Sequence, residues 1–70
     1  MDYSNHARIR MGRRNVSQAD VERIVEQPTR GTFRSPGRDI IEHFGYAADG
    51  RALNVVTNCA EDLVITVVEQ

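Results

Sequence analysis

The spacing of apolar residues changes from helical to strand-like near residue 40, and this change limits the fold more than any other sequence feature. Beyond that point, alternating apolar stretches predict strands at about residues 40–46, 52–58 and 63–68. Asp49-Gly50 lies between the first two strands and indicates a two-residue hairpin turn of type I′. Helical patterns followed by strands predict an α+β fold.

Two helices are expected before the strands, at about residues 4–13 and 17–27. Ser4 and Ser17 precede them as N-cap residues, whose side-chain oxygens accept hydrogen bonds from free backbone N–H groups. Pro28 ends the second helix because proline disfavours helical geometry in the residue before it. The prediction is two N-terminal helices packed on a three- to four-stranded antiparallel sheet.

The predicted turn fixes which strand residues share a face of the sheet. A two-residue turn pairs Tyr46 with Leu53 and Phe44 with Val55, and these four residues would form the core face. The opposite face would then carry Ile41, His43, Asn54 and Val56.

The last strand is apolar on both sides. Leu63, Ile65 and Val67 are expected on one face, and Val64, Thr66 and Val68 on the other. Because a three-stranded sheet needs only one buried face, the second face is expected to meet a helix, another subunit or a partner.

Residues 29–38 are rich in Gly, Pro and Arg, and they predict a loop with a short edge strand at 32–34. In that strand Phe33 would point inward as an anchor. Arg30 and Arg34 would form an exposed basic ridge, either solvated or in contact with nucleic acid or an acidic partner.

Composition limits the possible function classes. The 70 residues form a single domain, 1–70, that buries only about 60% of its unfolded surface, so self-association is the expected extra support. Cys59 is the only cysteine, and with His6 and His43 it gives no zinc spacing. We expect a reduced, cytoplasmic protein with no cofactor, no metal, no signal peptide and no membrane span.

Charge is divided unevenly along the chain although the net charge is only −1. Residues 1–38 hold eight arginines and four acidic residues, a balance of +4, and residues 39–70 hold one arginine and six acidic residues, a balance of −5. Such a split indicates either a nucleic-acid surface or two halves that pair with each other in the fold.

The segment from Ser4 to Arg14 concentrates this positive charge. In a helix, His6, Arg10 and Arg13 share one face, since residues three, four and seven apart are neighbours. A face with one imidazole and two guanidinium groups can either hold an anion or pair with acidic residues elsewhere. The sequence leaves both possibilities open.

Several short motifs resemble a widespread bacterial family of small domains of unknown function. They are His6-Ala7-x-x-Arg10-Met11, Arg14-x-Val16-Ser17-x-x-Asp20-Val21, Pro28, Asp49-Gly50-Arg51-x-Leu53-x-Val55-Val56 and Val64-Ile65-Thr66-Val67, which cover about residues 4–68. That family is similar in layout to the RelE and barnase-like ribonuclease toxins. Asn15 stands where the family usually has Gly, and both the pI near 6.0 and the short chain depart from such toxins.

Under the toxin resemblance, the chain would cleave RNA without a metal. RNA cleavage by transesterification needs a base, an acid and cations for the phosphate. His6 would be the base or acid because imidazole titrates near neutral pH. Arg10, Arg13 and Arg51 would hold the phosphate, and Thr66 would add a hydroxyl.

Each of these residues also has a structural interpretation. His6 would hydrogen-bond the backbone and fix the helix to the sheet, and Arg10 would pair with a strand acid such as Glu42. His43 is expected to pack on the sheet or face a partner, and nothing marks Cys59 as reactive. The preferred prediction is a non-catalytic interaction module, a homodimer or the binder of a protein partner, and a toxin-like ribonuclease is the alternative.

Overall fold

The computed structural model describes residues 1–70, which form two helices on one face of a five-stranded sheet. The elements are β1 (Asp2–Tyr3), α1 (Asn5–Arg14), α2 (Gln18–Glu26), β2 (Thr32–Arg34), β3 (Ile41–Tyr46), β4 (Ala52–Thr57) and β5 (Leu63–Glu69). Across the sheet the strands lie in the order β1-β5-β4-β3-β2. The predicted α+β fold is confirmed.

The prediction of a purely antiparallel sheet of three to four strands is wrong. The sheet has five strands, and β1 pairs in parallel with β5. The Asp2 N–H donates to the Asp62 carbonyl at 2.8 Å, and the Ser4 N–H donates to the Val64 carbonyl at 3.0 Å. A strand of two residues is too short to show any apolar alternation, so only its pairing with β5 defines it.

Side-chain caps fix the starts of both helices. The Ser4 hydroxyl oxygen accepts the Ala7 N–H at 3.0 Å, and the hydroxyl donates to the Ile65 carbonyl at 2.7 Å. The Ser17 oxygen likewise accepts the Asp20 N–H at 3.1 Å. The Ser4 side chain therefore caps α1 and also bonds this helix to β5.

The hairpin between β3 and β4 is longer than the predicted two-residue turn. The Ala47 N–H donates to the Arg51 carbonyl, and the Gly50 N–H donates to the Ala47 carbonyl, both at 2.9 Å. The Asp49 carboxylate accepts the Arg51 N–H at 3.1 Å, which draws Arg51 into the turn. The loop therefore spans residues 47–51, and the register moves by one residue.

This shift corrects the predicted face of β3, whereas Leu53 and Val55 of β4 lie on the core face as predicted. Gly45 pairs with Leu53 and Phe44 pairs with Asn54, instead of Phe44 with Val55. Because a one-residue slip turns each side chain of one strand to the other face, His43 lies beneath the helices and Phe44 lies outside. The helix-side residues are Ile41, His43 and Gly45 of β3 with Leu53, Val55 and Thr57 of β4.

A β-bulge corrects the predicted faces of β5. Thr57 pairs with Val64 but Val56 pairs with Thr66, so Ile65 is an extra residue between them. Val64 and Val67 consequently both face the helices and are fully buried. The core combines α1 and α2 with this side of the sheet: Ala7, Met11, Val16, Val21, Ile24, Val25, Ala47, Leu53, Val55, Val64 and Val67.

Phe33 is not the inward anchor that the sequence predicted. It pairs with Glu42 of β3 and is 53% exposed on the side of the sheet away from the helices. We call this side the outer face. Its residues are Phe33, Glu42, Phe44, Tyr46, Asn54, Val56, Thr66 and Val68. The Arg30 side chain also lies on this face, near the rings of Phe44 and Tyr46.

Candidate functional site

Helix α1 carries a cluster of cations without acidic partners. Four of its ten residues are arginines and none is acidic. His6 and Arg13 are exposed, and neither they nor Arg10 makes a hydrogen bond or an ion pair. The positive charge of α1 is therefore available to an anion from solution.

The alternative pairings that the sequence suggested for α1 are absent. Glu42, the expected partner of Arg10, lies on the outer face and accepts a hydrogen bond from Asn54 Nδ2 at 2.8 Å. His6 makes no bond to the backbone. The helix is fixed to the sheet by Ala7, Met11 and Ser4 instead.

Arg51 holds the hairpin to the C-terminal end of α1. Its Nη1 donates to the Arg14 carbonyl, and its Nη2 donates to the Asn15 carbonyl at 2.9 Å. Its Nε also pairs with Asp49 at 2.8 Å, and Nη1 pairs with Glu69 at 3.3 Å. These bonds to Arg51 hold the pKa of the Asp49 carboxyl below its usual value. Most of the guanidinium N–H groups are thus occupied by the fold.

The residues proposed for RNA cleavage do not form one cluster. Thr66 lies on the outer face opposite Val56, whereas His6 and Arg10 lie on the helix layer at the other side of the sheet. Arg51 is engaged at the end of α1. His6, Arg10 and Arg13 share α1, and Arg51 reaches the C-terminal end of that helix with most of its N–H groups already bonded.

Arg30 and Arg34 occupy separate positions. The Arg30 guanidinium lies over the Tyr46 ring, 4.9 Å from its centroid, and 5.9 Å from that of Phe44. Its Nη2 donates to the Gly45 carbonyl at 3.2 Å and to Gln70 Oε1 at 2.6 Å. Arg34 is exposed in β2 without an ion pair, so these arginines do not extend the cations of α1.

The outer face exposes large apolar side chains because no helix covers it. Phe33 is 53% exposed, Tyr46 48% and Val68 37%. Sequence analysis predicted a second apolar face but assigned it the wrong residues of β3. Phe44 and Tyr46 belong to it, and His43 does not.

His43 is a buried polar residue, and the register between β3 and β4 places it on the helix side of the sheet. It is 1% exposed, and its Nε2 lies 3.0 Å from Thr57 Oγ1. The Thr57 hydroxyl donates to the Asn58 carbonyl at 2.9 Å, so its oxygen accepts the Nε2 proton. His43 Nδ1 is buried without a partner. Burial lowers the pKa of His43, against the opposing effect of the Glu61 carboxylate, 3.9 Å from Nε2.

We expect the free energy of unfolding to fall on acidification because of His43. Its folded pKa is below the ordinary 6.5, so its contribution is complete above that pH and is lost as the pH falls from 6.5 toward the folded value. Urea denaturation between pH 7.5 and 5.5 measures this loss. His43→Gln, which cannot titrate, should show a flatter profile. Parallel profiles for the two proteins would contradict the prediction.

Cys59 has none of the features of a reactive thiol. Its backbone N–H donates to Asp39 Oδ1 at 2.9 Å, and the sulfur lies 3.9 Å from the Arg38 carbonyl. Burial, with a contribution from Asp39, raises the pKa of the Cys59 thiol. Since the thiolate is the nucleophile, this environment makes Cys59 less reactive than a free cysteine.

A cleft of about 270 Å³ lies beside α1, lined by Tyr3, Arg8, Met11, Val16 and Gln18. Arg8 lies 5.8 Å from the centroid of the Tyr3 ring, and the Tyr3 hydroxyl donates to Glu22 at 2.7 Å.

No three His, Cys, Asp or Glu side chains are grouped so that they would hold a metal ion. Neither helix has the length and apolar character required to cross a membrane.

Comparison with known proteins gives one match. No curated protein and no solved structure matches the chain. The model of a domain of unknown function, DUF4258, matches residues 3–69, which is nearly the whole chain. This agrees with the resemblance to a family of small domains of unknown function. By this match, the chain belongs to the DUF4258 family.

Proposed function

We propose that this chain is a non-catalytic interaction module that binds a protein through the outer face of its sheet. The exposed apolar side chains of that face carry the proposal. Phe33, Tyr46 and Val68 are between 37% and 53% exposed, on the side of the sheet that no helix covers. Large apolar side chains exposed together on one face of a sheet are typical of protein interaction sites.

The composition of the outer face favours a protein partner. Aromatic residues and arginine are enriched in the cores of protein interfaces, and Phe33, Phe44, Tyr46 and Arg30 supply both. Glu42 on the same face offsets the charge of Arg30. A surface with balanced charge lacks the excess of cations that nucleic-acid backbones require.

Site-specific photo-crosslinking in cells of the native host tests this proposal. A photoreactive phenylalanine analogue at Phe33 should give discrete protein adducts, because the partner would cover this side chain. The same analogue at Ala19, an exposed position of α2, is the matched control and should give none. Absence of adducts from Phe33, or equal adducts from Ala19, would refute the proposed role of the outer face.

A toxin-like ribonuclease of the RelE or barnase-like type is the second candidate, and the unpaired cations of α1 favour it. His6 would transfer protons, and Arg10 with Arg13 would hold the phosphate. The exposed arginines Arg30 and Arg34 would be additional contacts for RNA. The guanidinium of Arg51 is already bonded at the end of α1, and Thr66 lies on the outer face, so this candidate keeps fewer residues than the resemblance implies.

Growth of bacteria that express the chain tests the ribonuclease candidate. Wild-type protein should arrest growth, and His6→Ala and Arg10→Ala should relieve the arrest while circular dichroism shows them folded. Both side chains make no bond within the fold, so both variants are expected to fold. Normal growth with wild-type protein, together with intact RNA after incubation with purified protein, would exclude this candidate.

A further inference from the structure

We infer that the partner of the outer face is a second copy of this chain, related by a two-fold axis that passes over Phe44 and places Glu42 of each copy against Arg30 of the other. The inference rests on the proposed function, because it names the partner of the same surface. The outer face of β3 presents Glu42, Phe44 and Tyr46 in alternation.

Charges of opposite sign lie on the two sides of Phe44 along β3. Glu42 and Tyr46 each lie two residues from it, about 7 Å away along the strand. Glu42 makes one end of this row acidic. At the other end, the Arg30 guanidinium lies 4.9 Å from the centroid of the Tyr46 ring and makes that end basic. When the same row in a second copy runs in the opposite direction, its acidic end therefore lies opposite the basic end of the first.

The two-fold axis lies between the two sheets, parallel to them and perpendicular to β3, and it reverses the row in the second copy. Phe44 then meets Phe44 at the axis, and Glu42 of each copy lies opposite Tyr46 and Arg30 of the other. The two charge pairs form together because the interface is isologous. Face-to-face packing of two sheets at about 10 Å brings these side chains within reach of each other.

Both charged groups keep free hydrogen-bonding capacity in the single chain. All hydrogen bonds of the Arg30 side chain are made by Nη2, so Nε and Nη1 retain their N–H groups. Glu42 accepts from Asn54 through Oε1 only, which leaves Oε2 unpaired. An ion pair across the interface would use these atoms without breaking a bond of the fold.

A dimer through the outer face would need about 800 Å² from each copy, which is the size of a standard interface. The whole chain exposes 4200 Å². The interface would therefore take about one fifth of the surface of each copy, on the one face of the sheet that no helix covers.

Charge exchange at the two positions tests the inference by sedimentation equilibrium. Wild-type protein should have twice the 7.9 kDa mass of the chain. Glu42→Arg alone and Arg30→Glu alone should each weaken self-association at least ~10-fold, because each sets like charges opposite one another. An equimolar mixture should restore a one-to-one dimer, since both charge pairs are again opposite in sign. Arg13→Glu, on α1, is the control with the same charge change and should dimerise like the wild type.

A cysteine at the axis gives a second measurement that does not depend on the folding of the Arg30 variant. In a Cys59→Ser background, Phe44→Cys should form a disulfide between copies on oxidation. Phe33→Cys should not, because Phe33 lies beside Glu42, two residues from the axis, and its two copies would be about 14 Å apart. A monomeric wild type, unchanged dimerisation of the exchange variants, no recovery in the mixture, or no Phe44→Cys disulfide would each overturn the inference. Adducts from Phe33 to a different protein, with a monomeric wild type, would overturn it and leave the proposed function intact.

Discussion

Leu53→Ala should destabilise this domain by about 2–5 kcal/mol, which is the range for removing a buried leucine side chain. Leu53 is fully buried on β4, the central strand, and it faces both helices. The substitution leaves a cavity in the core, which its packed neighbours fill only in part. Folded domains gain only about 0.05–0.15 kcal/mol per residue, so the loss removes a large part of the stability of 70 residues.

Urea denaturation measures this loss, and Val68→Ala supplies a comparison from the other side of the sheet. Val68 is 37% exposed on the outer face. Its truncation in the monomer should cost no more than about 1 kcal/mol, because little apolar surface leaves a packed environment. Equal losses from the two variants would mean that the register assigned to β4 and β5 is wrong.

Gly45→Ala should destabilise the domain by about 1–3 kcal/mol through overpacking. A Cβ at Gly45 would lie 3.0 Å from Ile24 Cγ1 and 3.2 Å from Ile24 Cγ2, which is closer than such atoms normally approach. Gly45 thus lets α2 pack directly on β3. Gly12→Ala is the matched control, since a Cβ there meets nothing within 4 Å. It should stabilise α1 by roughly 0.5–1 kcal/mol.

A double-mutant cycle separates this contact from other effects of Gly45→Ala. Ile24→Ala removes the Cγ atoms that a new Cβ would meet. In the double variant, Gly45→Ala should cost less than it does alone, with a coupling energy of about 0.5–3 kcal/mol. Purely additive losses in thermal or urea denaturation would show that the Gly45 effect does not arise from Ile24.

Two candidate surfaces on opposite sides of the sheet explain why the sequence left the function open. The cations of α1 lie on the helix layer, and the exposed aromatic residues lie on the outer face. The sequence favoured both an interaction module and a ribonuclease because it cannot show that these groups are separated. The fold places Thr66 on one side and His6 on the other, which divides the set of residues that the ribonuclease candidate required.

The sequence predicted the surroundings of some candidate site residues and not those of others. The exposure of Arg34 was expected, because arginine in an edge strand is usually solvated. The bonds from Arg51 to the Arg14 and Asn15 carbonyls could not be predicted, since they join residues 36 and 37 positions apart. Only the packing of α1 beside the hairpin brings these groups together.

Local chemistry in the sequence determined the helices and the fold class. Ser4 and Ser17 cap their helices as predicted, because an N-cap needs only a side-chain oxygen three residues before the N–H that it accepts. Apolar periodicity then separated the helical half from the strands. These signals involve residues that are close together in the chain, so they can be recognised from the sequence alone.

Strand register and the faces of the sheet were decided only by the tertiary structure. The Arg51 N–H donates a hydrogen bond to the Asp49 carboxylate within the longer hairpin, and a bulge at Ile65 reversed part of β5. Each of these changes shifts the strand pairing by one residue. Because side chains alternate between the two faces of a sheet, a shift of one residue moves them to the other face. His43 became buried and Phe44 exposed for this reason, although the sequence had correctly located the strands that carry them.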